Sequence, residues 1–104
     1  MTSKNTLQAH LYHNNNSVAC CEVHYLGLLG VQVKTGPLSY PNGTHLEVKL
    51  IDTQRKDTHQ CRLPAVITNI SKEDIGLTFL NHDMKTNVIL LDMILSMGVH
   101  AATT

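Results

Sequence analysis

The chain has no tryptophan, one phenylalanine (Phe79) and three tyrosines in 104 residues. Its core must therefore rest on leucine, valine and isoleucine, and its length allows one compact domain. A surplus of either charge is also missing: eight basic residues balance eight acidic ones. Proteins that grip duplex nucleic acid concentrate Lys and Arg on one face, because phosphate neutralisation dominates their affinity. Only two arginines occur, Arg55 and Arg62, and no basic patch is visible, which argues against a duplex as partner. The longest apolar run, Val88 to Leu91, is far short of the ~20 residues of a membrane span. No apolar stretch stands behind the polar start Met1-Thr2-Ser3-Lys4-Asn5, so no secretory signal is expected. Cysteines are few: Cys20, Cys21 and Cys61. The adjacent pair points to opposite strand faces and is badly placed to bridge, and an odd count suits a reducing compartment. A soluble cytoplasmic domain is expected.

What is present is alternation. Residues 7–12 alternate weakly, and Asn14-Asn15-Asn16-Ser17 is a turn signal. From Val18 to Tyr25, period two places Ala19, Cys21, Val23 and Tyr25 on one face, with Glu22 and His24 on the other. Val31 and Val33 alternate with Gln32 and Lys34, and Leu46, Val48 and Leu50 with His45, Glu47 and Lys49. Residues 53–59 read as a polar hairpin tip. Cys61 to Ile70 reads as a strand in which Pro64, lacking an N–H, requires an edge or a bulge, and Ile75 to Leu80 reads as a last strand. The period then changes. Asp83 is a suitable N-cap, Met84, Val88, Leu91 and Leu95 recur at helical spacing, and Gly98 is placed to stop the helix. Short strands separated by turns, then one helix, indicate a barrel or strongly curved sheet.

Two stretches carry a family resemblance. The first runs from Val31 to Leu50 (VQVKTGPLSYPNGTHLEVKL); the second joins Leu63–Ile70 to Ile75–Asp83 (LPAVITNI and IGLTFLNHD). Together they resemble a PilZ domain over most of residues 18–97. The resemblance implies a mainly β fold: a six-stranded antiparallel β-barrel with a C-terminal α-helix. The corresponding division is an N-terminal segment with room for a first strand (1–17), the barrel (18–82), the helix (83–98) and a disordered tail (99–104). Many PilZ domains bind the bacterial second messenger cyclic di-GMP through an R-x-x-x-R motif and a D/N-x-S-x-x-G motif. Arginine forks clamp its phosphates and stack on guanine, while short polar side chains hydrogen-bond it. Here no arginine precedes Arg55, so the first motif is absent. At the place of the second stands Tyr25-Leu-Gly-Leu-Leu-Gly30, with Tyr25 and Gly27 in place of the polar pair and Gly30 retained. The implied function is a stand-alone, non-catalytic adaptor in bacterial cyclic di-GMP-linked signalling that does not hold the nucleotide itself. The alternative is a direct receptor, with Arg55 or Arg62 reaching a site with Asn69 and Ser71. A second alternative is a small β-barrel accessory protein of unrelated role. The late run Asn69-Ile-Ser71-Lys-Glu-Asp74 also reads as a hairpin turn, where Asn, Ser and Asp are favoured for local hydrogen bonds.

Other chemistry has plainer readings. His10-x-x-His13 followed by Cys20 and Cys21 suggests zinc by composition, but residues three apart on a strand face opposite sides, so no metal is expected. Cys20 and His24, four apart on one strand face, are the local pair that could serve catalysis, yet no third group completes them. The expectation is no catalytic residue and no cofactor, with cyclic di-GMP as the one ligand to consider. On the helix, Met84, Val88, Leu91 and Leu95 are expected to close the barrel's open end. Ile89, Leu90, Met93, Ile94 and Met97 then extend the apolar surface and form the candidate interaction surface, for a homodimer or another protein partner.

Overall fold

The structure, a computed structural model, describes residues 7–35, 40–52, 60–81 and 83–101, with the side chains of the final helix described as far as Leu95. Six strands follow one another: β1 (Leu7–His13), β2 (Asn16–Leu26), β3 (Gly30–Lys34), β4 (His45–Asp52), β5 (Gln60–Ile70) and β6 (Asp74–Phe79). A helix, α1 (Met84–Ala101), ends the described chain. The strands close into a barrel in the order β1-β2-β3-β6-β5-β4, every pairing antiparallel. The expected six-stranded antiparallel barrel with a C-terminal helix is the fold observed.

Alternation explains the core. Leu7, Ala9 and Leu11 of β1, Leu46, Val48 and Leu50 of β4, and Cys61, Leu63, Ala65 and Ile67 of β5 all point inward and are buried. Val31 and Val33 of β3 and Ile75, Leu77 and Phe79 of β6 complete the wall. Aliphatic residues therefore fill the interior, as the scarcity of rings requires.

The β1–β2 connection is a two-residue turn with Asn14 at φ 53° and Asn15 at φ 68°. Asparagine tolerates this left-handed region better than other side-chain-bearing residues, and such a turn matches the twist of the strands it joins. It makes β1 a full barrel strand, paired to β2 on one side and β4 on the other. The barrel thus begins at Leu7 and not at residue 18.

Pro64 finds its place without a free edge. A residue in an antiparallel strand directs its N–H and C=O to the same neighbour, and the Pro64 carbonyl accepts from the Leu80 N–H at 2.9 Å. Leu80 lies just past the end of β6, so the missing donor falls where the β5–β6 ladder has already stopped. Asp83 caps α1 as expected: its Oδ1 accepts from the Thr86 N–H at 2.9 Å. These bonds from Thr86 hold the Asp83 carboxyl below its ordinary pKa. Gly98 does not stop the helix, which continues three residues to Ala101.

Candidate functional site

The second family motif would fall on the β2–β3 turn, and a groove lies there. Four residues form one row across four strands on the outer face: Tyr25 (β2), Gln32 (β3), Gly76 (β6) and Asn69 (β5), each paired with the next. A bulge flanks the row on each side. On β2 the extra residue is His24, between the pairs Val23↔Val33 and Tyr25↔Gln32. On β5 it is Thr68, between Ile67↔Leu77 and Asn69↔Gly76. Bulged strands bend and twist more strongly, and the two bulges bracket β3 and β6. Those central strands carry glycine where the neighbouring strand comes too close for a side chain. A Cβ on Gly30 would collide with the Leu77 carbonyl oxygen, and one on Gly76 would lie 3.3 Å from the Asn69 Cβ. The result is an open cleft of about 420 Å³ lined by Tyr25, Gly27 to Gln32, Thr68, Asn69 and Gly76 to Thr78.

The β2 bulge also corrects the expected facing of Tyr25. One extra residue inverts the period, so Leu26 points inward and Tyr25 turns outward with 64% of its surface exposed. Its ring stands at the cleft's lip. The Gly27 N–H donates to the Gly30 carbonyl at 2.9 Å, and the Phe79 N–H to the Leu29 carbonyl at 2.8 Å, which pins the loop to β6. On the facing wall Thr68 Oγ1 and Thr78 Oγ1 share a hydrogen bond of 3.0 Å. The lining offers amides, hydroxyls, one phenol and aliphatic surface, and among the described residues no Lys, Arg, His, Asp or Glu side chain lines it. Such a surface can hydrogen-bond and stack, but it holds no cation to meet a phosphate.

The remaining candidates for a receptor are not brought to this cleft as a set. Asn69 is part of it. Ser71 belongs to the β5–β6 turn, where its N–H donates to the Asp74 carbonyl at 2.9 Å and its Oγ to the same oxygen at 3.3 Å. Arg62 stands seven residues before Asn69 on β5, roughly 23 Å away at the rise of a strand. Its Nε and Nη2 donate to Glu47 Oε1 at 2.7 and 2.6 Å, and its guanidinium lies 4.5 Å from the Tyr12 ring centroid. Arg55 lies outside the described residues. A smaller cleft of about 270 Å³, lined among others by Tyr12, His45, Glu47 and Pro64, opens near the Arg62 pair.

Cys20 does meet a histidine, but on another strand. Its Sγ is 3.4 Å from Nε2 of His10, its cross-strand partner in the β1–β2 ladder. His24, displaced at the bulge, instead faces Asp74 at 3.6 Å. Continuing across β1, β4 and β5, the row reads Cys20, His10, Lys49, Arg62, an outer stripe of one thiol and three nitrogen bases that no local spacing could reveal. His13 packs against the Tyr40 ring at 4.8 Å, so the two early histidines serve different neighbours. Among the described residues no three His, Cys, Asp or Glu side chains stand close enough to hold a metal ion. Cys21 and Cys61 are buried in the wall, and that burial pushes both thiols up to about 11.

The helix inverts the expected assignment of its faces. Leu90 and Met93 are fully buried, while Ile89 and Ile94 are half-buried against the core. Met84, Val88, Leu91 and Leu95, expected to close the barrel, are exposed by 75%, 62%, 45% and 65%. Both sets recur at three and four residues, so spacing alone fits either face. The barrel accepts the set centred on Leu90 and Met93. Of the expected interaction surface, Leu90 and Met93 are thus unavailable, and the Met97 side chain lies outside the described residues.

No family model matches the chain, and no curated protein does. Among solved structures, the crystal structure of a Legionella uncharacterized protein, Lpg0364, matches with a TM-score of 0.53 at 16% identity, covering 99% of this chain and 94% of that one. At that identity the likeness is one of fold. No helix is long and apolar enough to cross a membrane among the described residues.

Proposed function

We propose that the chain is a PilZ-like, non-catalytic adaptor in bacterial cyclic di-GMP-linked signalling, acting through protein contact without holding the nucleotide itself. The observation that carries this reading is the chemistry of the β2–β3 cleft. The turn that the family resemblance assigns to nucleotide binding is present as a turn, between an early pair of barrel strands. Its polar positions are Tyr25 and Gly27, and its lining has no charge. Among the described residues that line this groove, two phosphates would find no counter-charge, and desolvating an unmatched phosphate is costly. Arg62, the described arginine, is held by Glu47 at the other end of β5. Pulling it away would break a two-point, charge-assisted contact and a cation–π contact. A surface suited to protein contact does exist on the exposed ridge of α1.

Calorimetric titration with cyclic di-GMP at near-physiological salt tests the reading. The expected outcome is no saturable heat at ligand concentrations up to about a hundred micromolar. Micromolar binding abolished by Arg62→Ala or Asn69→Ala would overturn it in favour of a direct receptor.

A further inference from the structure

We propose that the β2–β3 cleft is a binding site for a neutral sugar, with the sugar ring laid against Tyr25 and its hydroxyls met by the amides of Gln32 and Asn69. One row of the sheet carries this inference. Tyr25, Gln32, Gly76 and Asn69 stand side by side across four strands on the outer face, a span of roughly 14 Å at the spacing of strands. An aromatic ring opens the row, two carboxamides follow, and the residue between the amides carries no side chain. The ring is placed by a neighbour: a Cβ on Gly27 would lie 3.5 Å from Tyr25 Cε2 and Oη. It rests beside that glycine while 64% of the residue stays exposed. With only two side-chain torsions, a tyrosine loses little freedom on meeting a ligand. At the other end of the row, the Asn69 Cβ lies 3.3 Å from where a Gly76 Cβ would stand, which sets the Asn69 side chain beside that open position.

The chemistry of the lining selects the ligand class. A carboxamide offers an acceptor and a donor side by side, so each can accept from one hydroxyl and donate to its neighbour on the same sugar ring. Thr68 and Thr78 share a hydrogen bond of 3.0 Å, and their oxygens, with two lone pairs each, keep acceptor capacity for a further hydroxyl. The face of an aromatic ring is negative and suits the C–H bonds that crowd one face of a pyranose. Other ligand classes fit less well. Among the described residues no Lys, Arg, His, Asp or Glu side chain lines the cleft. Further along β3 and β6 on the same face, Lys34 and Asp74 already meet Glu73 at 3.9 Å and His24 at 3.6 Å. A charged ligand would thus find no partner. A wholly apolar one would cover the two amides without replacing their water. An extended peptide cannot join the sheet as a strand, because the ring is closed and β3 and β6 are each paired on both sides. The cleft's 420 Å³ lies within the range of small-molecule sites, about 300–1,000 Å³, and gives room for a disaccharide.

Sugar binding does not depend on the signalling reading, and the two fail in different titrations. The isotope-labelled chain is titrated with cellobiose, maltose and diacetylchitobiose, each to about 50 mM so that millimolar affinity saturates, and followed through its amide resonances. At least one of these neutral disaccharides should move the Tyr25, Gln32, Asn69 and Thr78 resonances saturably, with half-saturation between about 0.1 and 10 mM. Tyr25→Ala should weaken that binding about tenfold or more, whereas Tyr25→Phe, which keeps the ring, should change it less than about threefold. Asn69→Ala should weaken it by about three- to tenfold, the worth of one or two hydrogen bonds. Tyr25 and Asn69 are both exposed, so thermal melts of these variants should stay native and report on folding separately. Binding that survives Tyr25→Ala would place the sugar elsewhere and overturn the proposal. So would the absence of saturable movement with all three disaccharides, or equal movement with glycerol at the same concentration. Movement of the cleft resonances by a proline-rich peptide and by none of the sugars would overturn it in favour of a protein ligand.

Discussion

Three thiols of identical chemistry have three different surroundings, and strand parity alone decides them. Cys20 faces out beside His10, while Cys21, its neighbour, faces in, and Cys61 faces in from β5. With Cys21 and Cys61 pushed up to about 11 by burial, roughly one buried thiol in a thousand is ionised at pH 8, and thiolate is the reactive form. A native-state thiol titration at pH 8 should therefore find one fast equivalent, lost in Cys20→Ser, and two more released by denaturant. Peptide mapping that found Cys21 or Cys61 labelled first would contradict this. The same burial sets a pH dependence. In the unfolded chain these two thiols ionise at their ordinary 9.0, so above pH 9 the folded state holds more protons than the unfolded one. Stability then falls as pH rises from about 9 to 11, and Cys61→Ala should flatten that fall in urea melts followed by pH.

At the scale of elements, alternation made β3 and β4 legible residue by residue, because a one-residue error there would turn a whole apolar set to water. It failed at Tyr25, where the bulge at His24 resets the period. No feature of residues 18–26 marks the extra residue, since its cause is the pairing of β2 with β3. It failed again on α1 for a different reason. A helix apolar almost all round offers two stripes of equal spacing, and only the barrel's rim selects Leu90 and Met93 over Val88 and Leu91. That selection has an energetic signature. Leu90→Ala should cost about 2–5 kcal/mol by loss of transfer energy and by the cavity left in the rim. Leu95→Ala, on the exposed ridge, should change stability by less than about 0.5 kcal/mol. Equal costs in urea denaturation would mean that the helix sits on the barrel in the other orientation.

Over the whole molecule, the cleft and the closure both come from contacts between residues distant in sequence. Gly30 and Gly76 both line the groove only because β3 and β6, far apart along the chain, lie side by side. The sequence marks Gly30 as a turn residue, whereas its stricter constraint is the Leu77 carbonyl against which no side chain fits. Closure depends likewise on β1, which reads from alternation as a weak segment apart from the barrel. In the structure it is the staple of the ring, bonded from Leu7 to Tyr12 along β4 and from Gln8 to His13 along β2. Removing it would strip both ladders at once and expose two unpaired strand edges, which are templates for association between chains. It would also delete Leu7, Ala9 and Leu11, all fully buried. A chain starting at Asn16 should therefore lose its cooperative thermal transition and aggregate. A folded monomeric barrel in the shorter chain would mean that β2 and β4 can close on each other without β1, and that the ring is held by its remaining ladders.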